Sequence, residues 1–311
     1  MGECAGILKE NSTIKDGKDT RMNYEIFVDM SLDIDEEVAT ENNIRYVPME
    51  YVLGEETHRA VGPESDETMH NFYESMRQNI PTRTSQITPY HYEQVFIPFV
   101  KEGKPILYIA LSSGLSKTYE SALLAVDTIK ETYEEARIEV VDSLGATGGM
   151  GLLAEAACRN REKGMTLEEN AAWLRENAKK INFWFMVEDL VYLKRGGRVS
   201  ATSAFVGTAL NIKPVLNINP QGSLDTVAKK RGSKQAMRYM VDHFAEDYDP
   251  SYANTVYICC ADCKDTAAEL KEMVLKIHPD ADVKITMLCP IIGAHTGPGM
   301  LSLIYWGPER K

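Results

Sequence analysis

The chain has 311 residues, of which 44% are hydrophobic and 26% charged, a composition typical of a soluble globular protein large enough for two domains. Its formal net charge of −12 repels phosphate backbones and excludes general nucleic-acid binding. No apolar run approaches the roughly 18 residues of a transmembrane helix, and residues 1–22 lack a signal-peptide core, so we expect a cytoplasmic protein with no transmembrane segment.

The first half of the chain alternates predicted strands and helices. The hydrophobic pattern predicts strands over residues 24–28, 44–47, 105–111 and 138–141, and helices over 64–79, 90–102, 117–131, 152–163 and 166–179. Thr166 with Glu169 three residues later is a capping-box pattern for the last of these helices. Because parallel strands need right-handed helical crossovers, this alternation predicts a mostly parallel sheet.

The regular alternation of predicted strands and helices ends near residue 182. Strands are predicted over 183–187, 255–260, 283–288 and 301–306, a hairpin over 212–218 and 224–228, helices around 190–193 and over 233–244 and 266–277, and an apolar segment runs through residue 210. We therefore predict an α/β fold with a polar N-terminal extension (1–22), a parallel-sheet N-terminal α/β domain (23–180) and a mixed-sheet C-terminal α/β domain (181–311).

Hydroxyl groups follow predicted strands at the positions where α/β proteins bind ligands. Ser112, Ser113 and Ser116 come after the strand 105–111, and Thr84 and Ser85 precede a helix. Hydroxyls and helix N-termini hold a carboxylate well, which predicts an anion site here. The alternative is plain N-capping, worth about 1 kcal/mol per cap, and for Ser116 the two readings weigh equally.

Two basic clusters stand out from the acidic background, at residues 194–198 and 229–234. Such runs are usually solvated surfaces, but the glycines before Arg198 indicate a tightly turned backbone. His295, bracketed by Gly293 and Gly297, is expected on an exposed loop. Together Arg198, Arg231 and His295 would suit an anionic group or a phosphate.

Two enzyme readings compete with a binding site. The stretch from Gly149 to Ala154 matches the G-x-G-x-x-A dinucleotide fingerprint, but the preceding strand ends too early for the required turn. Ser116 lies at a strand–turn–helix junction like a hydrolase nucleophile, with His295 as a candidate base. The nucleophile elbow needs glycine where Thr118 stands, and no orienting acid is identifiable. A serine hydrolase or esterase using Ser116 remains the alternative function.

The cysteines form one formal CxxC motif. Cys260-Ala-Asp-Cys263 is a pattern found in redox sites and in half of a zinc site. No second pair of ligands follows, and Cys259 and Cys260 end an apolar strand where thiols usually serve as small core residues. The sequence favours the core interpretation, and we expect no metal and no cofactor.

Six motifs in order give the chain a family resemblance. They are Thr84-Ser-Gln86, Leu111-Ser-Ser-Gly-Leu-Ser-Lys-Thr-Tyr119, Val141-Asp-Ser143, Asp189-Leu-Val-Tyr-Leu-Lys-Arg-Gly-Gly-Arg198, Asn211-Ile-Lys-Pro-Val215 and Ala294-His-Thr-Gly297. The set resembles the bacterial DegV family over roughly residues 24–305. Each motif is weakly specific by itself, whereas six in the right order are strongly specific.

The resemblance implies a two-domain α/β protein that buries one long-chain fatty acid between its domains and performs no chemistry of its own. It implies that Thr84 and Ser116 hydrogen-bond the carboxylate, that His295 lies beside it, and that Arg198 and Arg231 serve the carboxylate surroundings or partner docking. The ligand-binding residues implied are Thr84, Ser85, Ser113, Gly114, Ser116, Arg198, Arg231, His295 and Thr296.

The partner implied by the resemblance is a dihydroxyacetone-kinase-like fatty acid kinase, which phosphorylates the presented carboxylate to an acyl-phosphate. The chain departs from the family pattern at Lys117, where glycine is usual, and at Ile87, where proline is common. The start of the first domain, from Asp29 to Asp33, is also a loose version of the usual Asp-Ser.

Overall fold

The computed structural model describes residues 23–199 and 211–311 of the chain. The predicted extension at 1–22, with Cys4, and the end of the apolar segment that reaches residue 210 lie outside these described ranges. Within them, no helix combines the length and the apolar character that crossing a bilayer requires.

The N-terminal part builds two sheets. Its elements are β1 (Glu25–Asp29), α1 (Glu36–Glu41), β2 (Arg45–Val47), β3 (Met49–Leu53), β4 (Glu56–Ala60), α2 (Asp66–Arg77), β5 (Thr82–Ser85), α3 (Pro89–Lys101), β6 (Ile106–Ala110), α4 (Thr118–Thr132), β7 (Ile138–Asp142), α5 (Thr147–Glu162) and α6 (Leu167–Asn177), followed by a 3-10 turn (Ala178–Lys180). The first sheet has the order β2-β1-β6-β7 and is parallel throughout. The second is a small antiparallel sheet, β4-β3-β5.

The C-terminal part builds one six-stranded sheet. Its elements are β8 (Ile181–Met186), α7 (Val191–Arg195), β9 (Ile212–Ile218), β10 (Leu224–Arg231), α8 (Ser233–Asp247), β11 (Thr255–Cys260), α9 (Lys264–Ile277), β12 (Asp282–Met287), α10 (Pro290–Thr296) and β13 (Leu301–Trp306). The strand order is β10-β9-β8-β13-β11-β12, and only β11 and β12 run parallel to each other. The predicted α/β fold, with a parallel sheet before a mixed one, is confirmed.

Several short elements were not predicted from the sequence, namely α1, β3, β4, β5 and α10. Strands β4 and β5 read Glu-Thr-His-Arg-Ala and Thr-Arg-Thr-Ser, so they carry almost no apolar signal. Thr84 and Ser85 therefore belong to a strand and not only to the approach to a helix. Helix α5 begins at Thr147, five positions before the predicted start, because its glycine-rich first turns are helical.

Helix α5 lies between the two large sheets. It contacts β1 and β6 on one side and β8, β11 and β13 on the other, and nearly all of its residues are buried. A Cβ atom at Gly149 would lie 2.1 Å from the Phe183 ring, and one at Gly148 would lie 2.5 Å from Tyr257 Cβ. The stretch from Gly149 to Ala154, which matches a dinucleotide fingerprint, thus provides the close packing that lets a helix fit between two sheets.

Helices cover the outer face of each large sheet. Phe27 of β1 meets Phe96 and Phe99 of α3 edge-on, and α4 packs beside α3. Helices α8 and α9 cover the far face of the six-stranded sheet. The larger core cluster includes residues from both halves of the chain, whereas the smaller one lies within residues 186–305. A domain boundary near residue 180 therefore stays a prediction.

A side chain at Gly149 should force the sheets apart. We expect Gly149→Ala to lower the free energy of unfolding by roughly 1–3 kcal/mol through overpacking against Phe183. Gly62→Ala is the matched control, because a Cβ there meets nothing within 4 Å, and it should change stability by less than about 0.5 kcal/mol. Urea denaturation measures both, and equal midpoints for the two variants would contradict the packing described for α5.

Candidate functional site: a cavity between the sheets

A cavity of about 520 Å³ lies where the small sheet, the parallel sheet and the six-stranded sheet meet. This volume falls in the range of roughly 300–1,000 Å³ typical of small-molecule sites. Its polar lining residues are Thr84, Ser85, Gln86, Ser113, Gly114, Ser116, Lys117, Thr147, Arg198, His295, Thr296 and Ser302. Its apolar lining residues are Met49, Leu111, Leu115, Ala146, Phe183, Phe185, Leu193, Ile218, Leu224, Ile291, Ile292, Met300 and Ile304.

Strand β5 presents hydroxyl groups to helix α10. Thr82 and Thr84 lie on one face of the strand, and Thr82 Oγ1 donates to the carbonyl of Ala294 over 3.2 Å. Thr84 Oγ1 lies 2.8 Å from His295 Nε2, in a hydrogen bond whose direction depends on the histidine tautomer. Because side chains alternate along a strand, Ser85 points away from α10 and is exposed at the rim of the cavity.

His295 is half-buried in the last turn of α10, which corrects the expectation of an exposed loop. A Cβ at Gly196 would lie 2.3 Å from His295 Nδ1, so the imidazole rests directly on the backbone of that glycine. Burial, and secondarily the positive charge of Arg198, lowers the pKa of His295 to about 4. The imidazole is therefore neutral at physiological pH, and it offers a hydrogen bond without a charge.

Arg198 joins the loop after β6 to the helix α7 region. Its Nε donates to the carbonyl of Leu115 over 3.1 Å, and its Nη1 donates to the carbonyl of Gly196. Gly197 adopts a left-handed φ of 72°, which turns the chain back so that the guanidinium can make both contacts. Burial lowers the pKa of Arg198 from its high ordinary value. It remains a cation fixed at the cavity wall, as the glycines beside it in the sequence predicted.

The loop after β6 is held by the hairpin of the other half of the molecule. Ser112 is fully buried, and its hydroxyl donates to the carbonyl of Gly222 over 2.8 Å. A Cβ at Gly114 would lie 2.6–2.7 Å from backbone atoms of Gln221 and Gly222. Ser112 is thus used for structure, whereas its neighbours Leu111, Ser113, Gly114, Leu115, Ser116 and Lys117 line the cavity.

Ser116 takes part in the start of helix α4 and also lines the cavity, which are the two roles that the sequence left open. Its hydroxyl lies 2.8 Å from Thr118 Oγ1 and accepts from the Thr118 backbone N–H at 3.3 Å, so it occupies the first N–H of α4, although the N-cap residue itself is Lys117. It also lines the cavity at the N-terminus of that 15-residue helix. Lys117, next in sequence, is exposed and pairs with Glu120. The partial positive charge of the helix end favours an anion beside Ser116.

Two buried carboxyl groups support this end of the fold. Asp29 accepts hydrogen bonds from the Leu111 backbone N–H at 2.8 Å and the Tyr108 hydroxyl at 2.9 Å, and its burial raises its pKa. Asp33 Oδ1 accepts from the backbone N–H of Cys289 at 2.8 Å, at the start of α10. Burial raises the pKa of Asp33 to about 8, so this group is mostly protonated at neutral pH.

The structure brings eight of the nine predicted site residues around the cavity and leaves Arg231 out of its lining. Arg231 is exposed at the end of β10, opposite Ile212. Thr296 is buried, and its hydroxyl donates to the carbonyl of Ile292 within α10. The apolar lining was not predicted, because its residues follow the same periodicity as the ordinary core and no local signal separates the two.

Ser116 and His295 do not form the pair that a hydrolase needs. His295 Nε2 contacts Thr84, its Nδ1 faces Gly196, and the Ser116 hydroxyl contacts Thr118. The charged neighbour that acts on the imidazole is Arg198, a cation. A serine–histidine dyad relies on an acid that orients the base and stabilises its protonated form, and a guanidinium does neither.

The fold is that of an α/β protein with three sheets, and its cavity combines an apolar wall with hydroxyls, a fixed cation and a helix N-terminus. The chain belongs to the DegV family: the family model, described as "Uncharacterised protein, DegV family", matches residues 23–307. A DegV domain-containing protein of Clostridium perfringens is 33% identical over 288 residues, covering 93% of this chain and 99% of its own. The resemblance inferred from the six motifs is confirmed.

Solved structures of the family share the fold. A DegV lipid-binding protein of Thermotoga maritima has a TM-score of 0.79 at 28% identity, covering 93% of this chain and 100% of that one. A DegV family protein of Thermus thermophilus, solved for its fatty acid binding, has a TM-score of 0.78 at 26% identity, covering 92% and 100%.

The neutral His295 should leave a signature in the pH dependence of stability. A histidine in the unfolded chain takes up a proton near pH 6.5, whereas the folded site resists protonation until about pH 4. Stability is therefore lost as pH falls between these values, by up to about 3 kcal/mol from this group. We expect wild type to lose this much relative to His295→Asn between pH 7 and pH 4, as measured by urea denaturation. A constant difference across this range would contradict the assignment.

Gly196→Ala should displace the imidazole while leaving the sheets intact. With a Cβ 2.3 Å from Nδ1, the ring must move and its hydrogen bond to Thr84 must break. We expect the pKa of His295, followed by NMR, to rise towards its ordinary value of about 6.5 as the ring gains solvent. Gly62→Ala is again the control. An unchanged His295 titration in Gly196→Ala would show that the glycine contact does not set the ring position.

Proposed function

We propose that the cavity binds one long-chain fatty acid, with the acyl chain on the apolar wall and the carboxylate at Thr84 and Ser116, and that the protein carries out no reaction itself. The observation that carries this proposal is a cavity that is apolar over more than half of its lining and is also lined by Thr84, Ser116 and Arg198. The family's lipid-binding and fatty-acid-binding members support it.

The free energy of binding such a ligand agrees with a cavity that has a large apolar part and a small polar part. Each buried CH₂ group contributes about 0.8 kcal/mol, so the acyl chain supplies most of the affinity. The carboxylate needs only donors that fix its position, and it keeps its charge beside Arg198 and the N-terminus of α4. A neutral His295 can complete the set of hydrogen bonds without the cost of burying a second cation.

The partner in this proposal is a dihydroxyacetone-kinase-like fatty acid kinase that phosphorylates the carboxylate to an acyl-phosphate. The family resemblance carries this step. The exposure of Ser85 and Lys117 at the same rim leaves room for another protein to approach the head group. Mixing the loaded protein with such a kinase and ATP should consume the acid as acyl-phosphate, whereas the loaded protein alone should leave it unchanged.

The hydroxyl pair gives a test that separates head group from tail. We expect Thr84→Ala with Ser116→Ala to weaken fatty acid binding by about 100-fold or more, since two hydrogen bonds to a charged group are lost and each is worth about 1.5–3 kcal/mol. Binding of the fatty alcohol of equal length should change far less. Thr128→Ala, an exposed hydroxyl on α4, is the matched control. Isothermal titration calorimetry on delipidated protein measures each of the three proteins with each of the two ligands.

Two outcomes would overturn the proposal. If the acid and the alcohol lose affinity equally in the double variant, the hydroxyls do not hold a carboxylate. If wild type neither co-purifies with a fatty acid in native mass spectrometry nor binds one when it is added, the ligand class is wrong. Labelling of Ser116 by a fluorophosphonate probe would favour the hydrolase alternative instead.

A further inference from the structure

The CxxC motif lies at the junction of β11 and α9, and neither of its cysteines lines the cavity. Cys260 is the last residue of β11, and Cys263 is the N-cap of the 14-residue helix α9. Neighbouring residues of a strand point to opposite faces, so Cys259 joins the core that faces α5 and Cys260 joins the core under α9. Only the second thiol therefore lies on the same side as Cys263.

The turn between the two cysteines is tightly held. Asp262 adopts a left-handed φ of 54°, which turns the chain sharply between the end of β11 and the N-cap of α9. The backbone N–H of Ala261 donates to the carbonyl of Met300 over 2.8 Å, and the thiol of Cys263 donates to the same carbonyl over 3.3 Å. The Asp262 carboxylate is in turn bound by Arg77 and by His70, both from α2.

The two sulfurs interact directly and differ in exposure. The interaction with Cys263 lowers the pKa of Cys260, assisted by the charge of Lys264, and the interaction with Cys260 raises the pKa of Cys263, so the pair loses its first proton more easily than its second. Burial instead raises the pKa of Cys158 to about 11 and that of Cys259 to about 12. Among the five described cysteines, Cys263 alone is partly exposed. The pair thus gives up one proton readily and includes a sulfur that solvent can reach, two properties found in reactive dithiols.

We propose that Cys260 and Cys263 are a reversible redox site that closes to a disulfide when a peroxide oxidises it. This goes beyond the lipid-binding role and does not depend on it. The sequence alone favoured a core role for these residues, and the structure assigns that role to Cys259 and Cys260 but not to the partly exposed Cys263.

The chemistry balances with hydrogen peroxide as the oxidant. Proton transfer between the paired sulfurs places the thiolate on Cys263, which attacks a peroxide oxygen; the O–O bond breaks and a sulfenic acid forms as hydroxide leaves. The Cys260 sulfur then attacks the Cys263 sulfur, the S–O bond breaks, and the second oxygen leaves as hydroxide. The two thiol protons convert both hydroxides to water, so two thiols and one peroxide give one disulfide and two waters.

Closure would change one wall of the cavity. The Cys263 thiol loses its proton in the disulfide, so it can no longer donate to the Met300 carbonyl. Met300 lines the cavity beside Ser302 and Ile304 of β13. One hydrogen bond, from Cys263 to the Met300 carbonyl, therefore connects the redox state of the cysteines to the cavity wall.

The test treats the full-length protein with hydrogen peroxide, alkylates the remaining free thiols and maps the peptides by mass spectrometry. We expect the peptide with Cys260 and Cys263 to lose the mass of two hydrogens and to regain it with dithiothreitol. Its thiols should disappear at least about tenfold faster than those of Cys158 and Cys289, because thiolate character and exposure set the rate. Cys263→Ser should abolish the disulfide, and the matched control Cys289→Ser should retain it.

Three results would overturn the proposal: both thiols remain fully alkylated after peroxide, Cys263 advances to the sulfinic acid while Cys260 stays reduced, or the cross-link forms between two chains. Thermal melts followed by circular dichroism report whether Cys263→Ser is folded. If it is not, the peptide map of the wild-type protein decides the question by itself.

Discussion

The contact between Gly149 of α5 and the ring of Phe183 sets the spacing of the two large sheets. A Cβ at Gly149, or at Gly145 just before the helix, would lie within 2.5 Å of this ring, so neither position has space for a side chain. The ring of Phe183 also lines the cavity. Sheet separation and cavity shape therefore depend on one packed interface, where interior packing leaves no space for adjustment.

The polar part of the cavity contains few buried charges. Arg198 is a half-buried cation, His295 is neutral, and the other donors include the uncharged hydroxyls of Thr84 and Ser116. Burying a second full charge would cost more than hydrogen bonds to it return. A bound carboxylate would be the counter-ion of Arg198 and would reverse part of the effect that this cation has on the histidine.

Much of the architecture could be predicted from the sequence. The alternation of strands and helices, the capping box at Thr166 and the mixed second sheet followed from local patterns, and each is present. The small sheet escaped prediction because β4 and β5 are short and polar, so their strand character comes from pairing with β3. The first turns of α5 were not predicted because glycine has a low helix propensity. They are helical in the structure, where the close contact with the neighbouring sheet leaves no room for a side chain.

The sequence by itself determined the α/β class, the order of most elements and the family, because periodicity and motif order are local properties that survive without contacts. Only the tertiary structure decided which hydroxyls serve the fold and which face the cavity, that Arg231 stands outside the lining, and that His295 is neutral. Those properties come from burial and from pairs such as Thr84 and His295, which are 211 positions apart in the chain. No local pattern encodes a contact at that distance, since it arises only when three sheets meet.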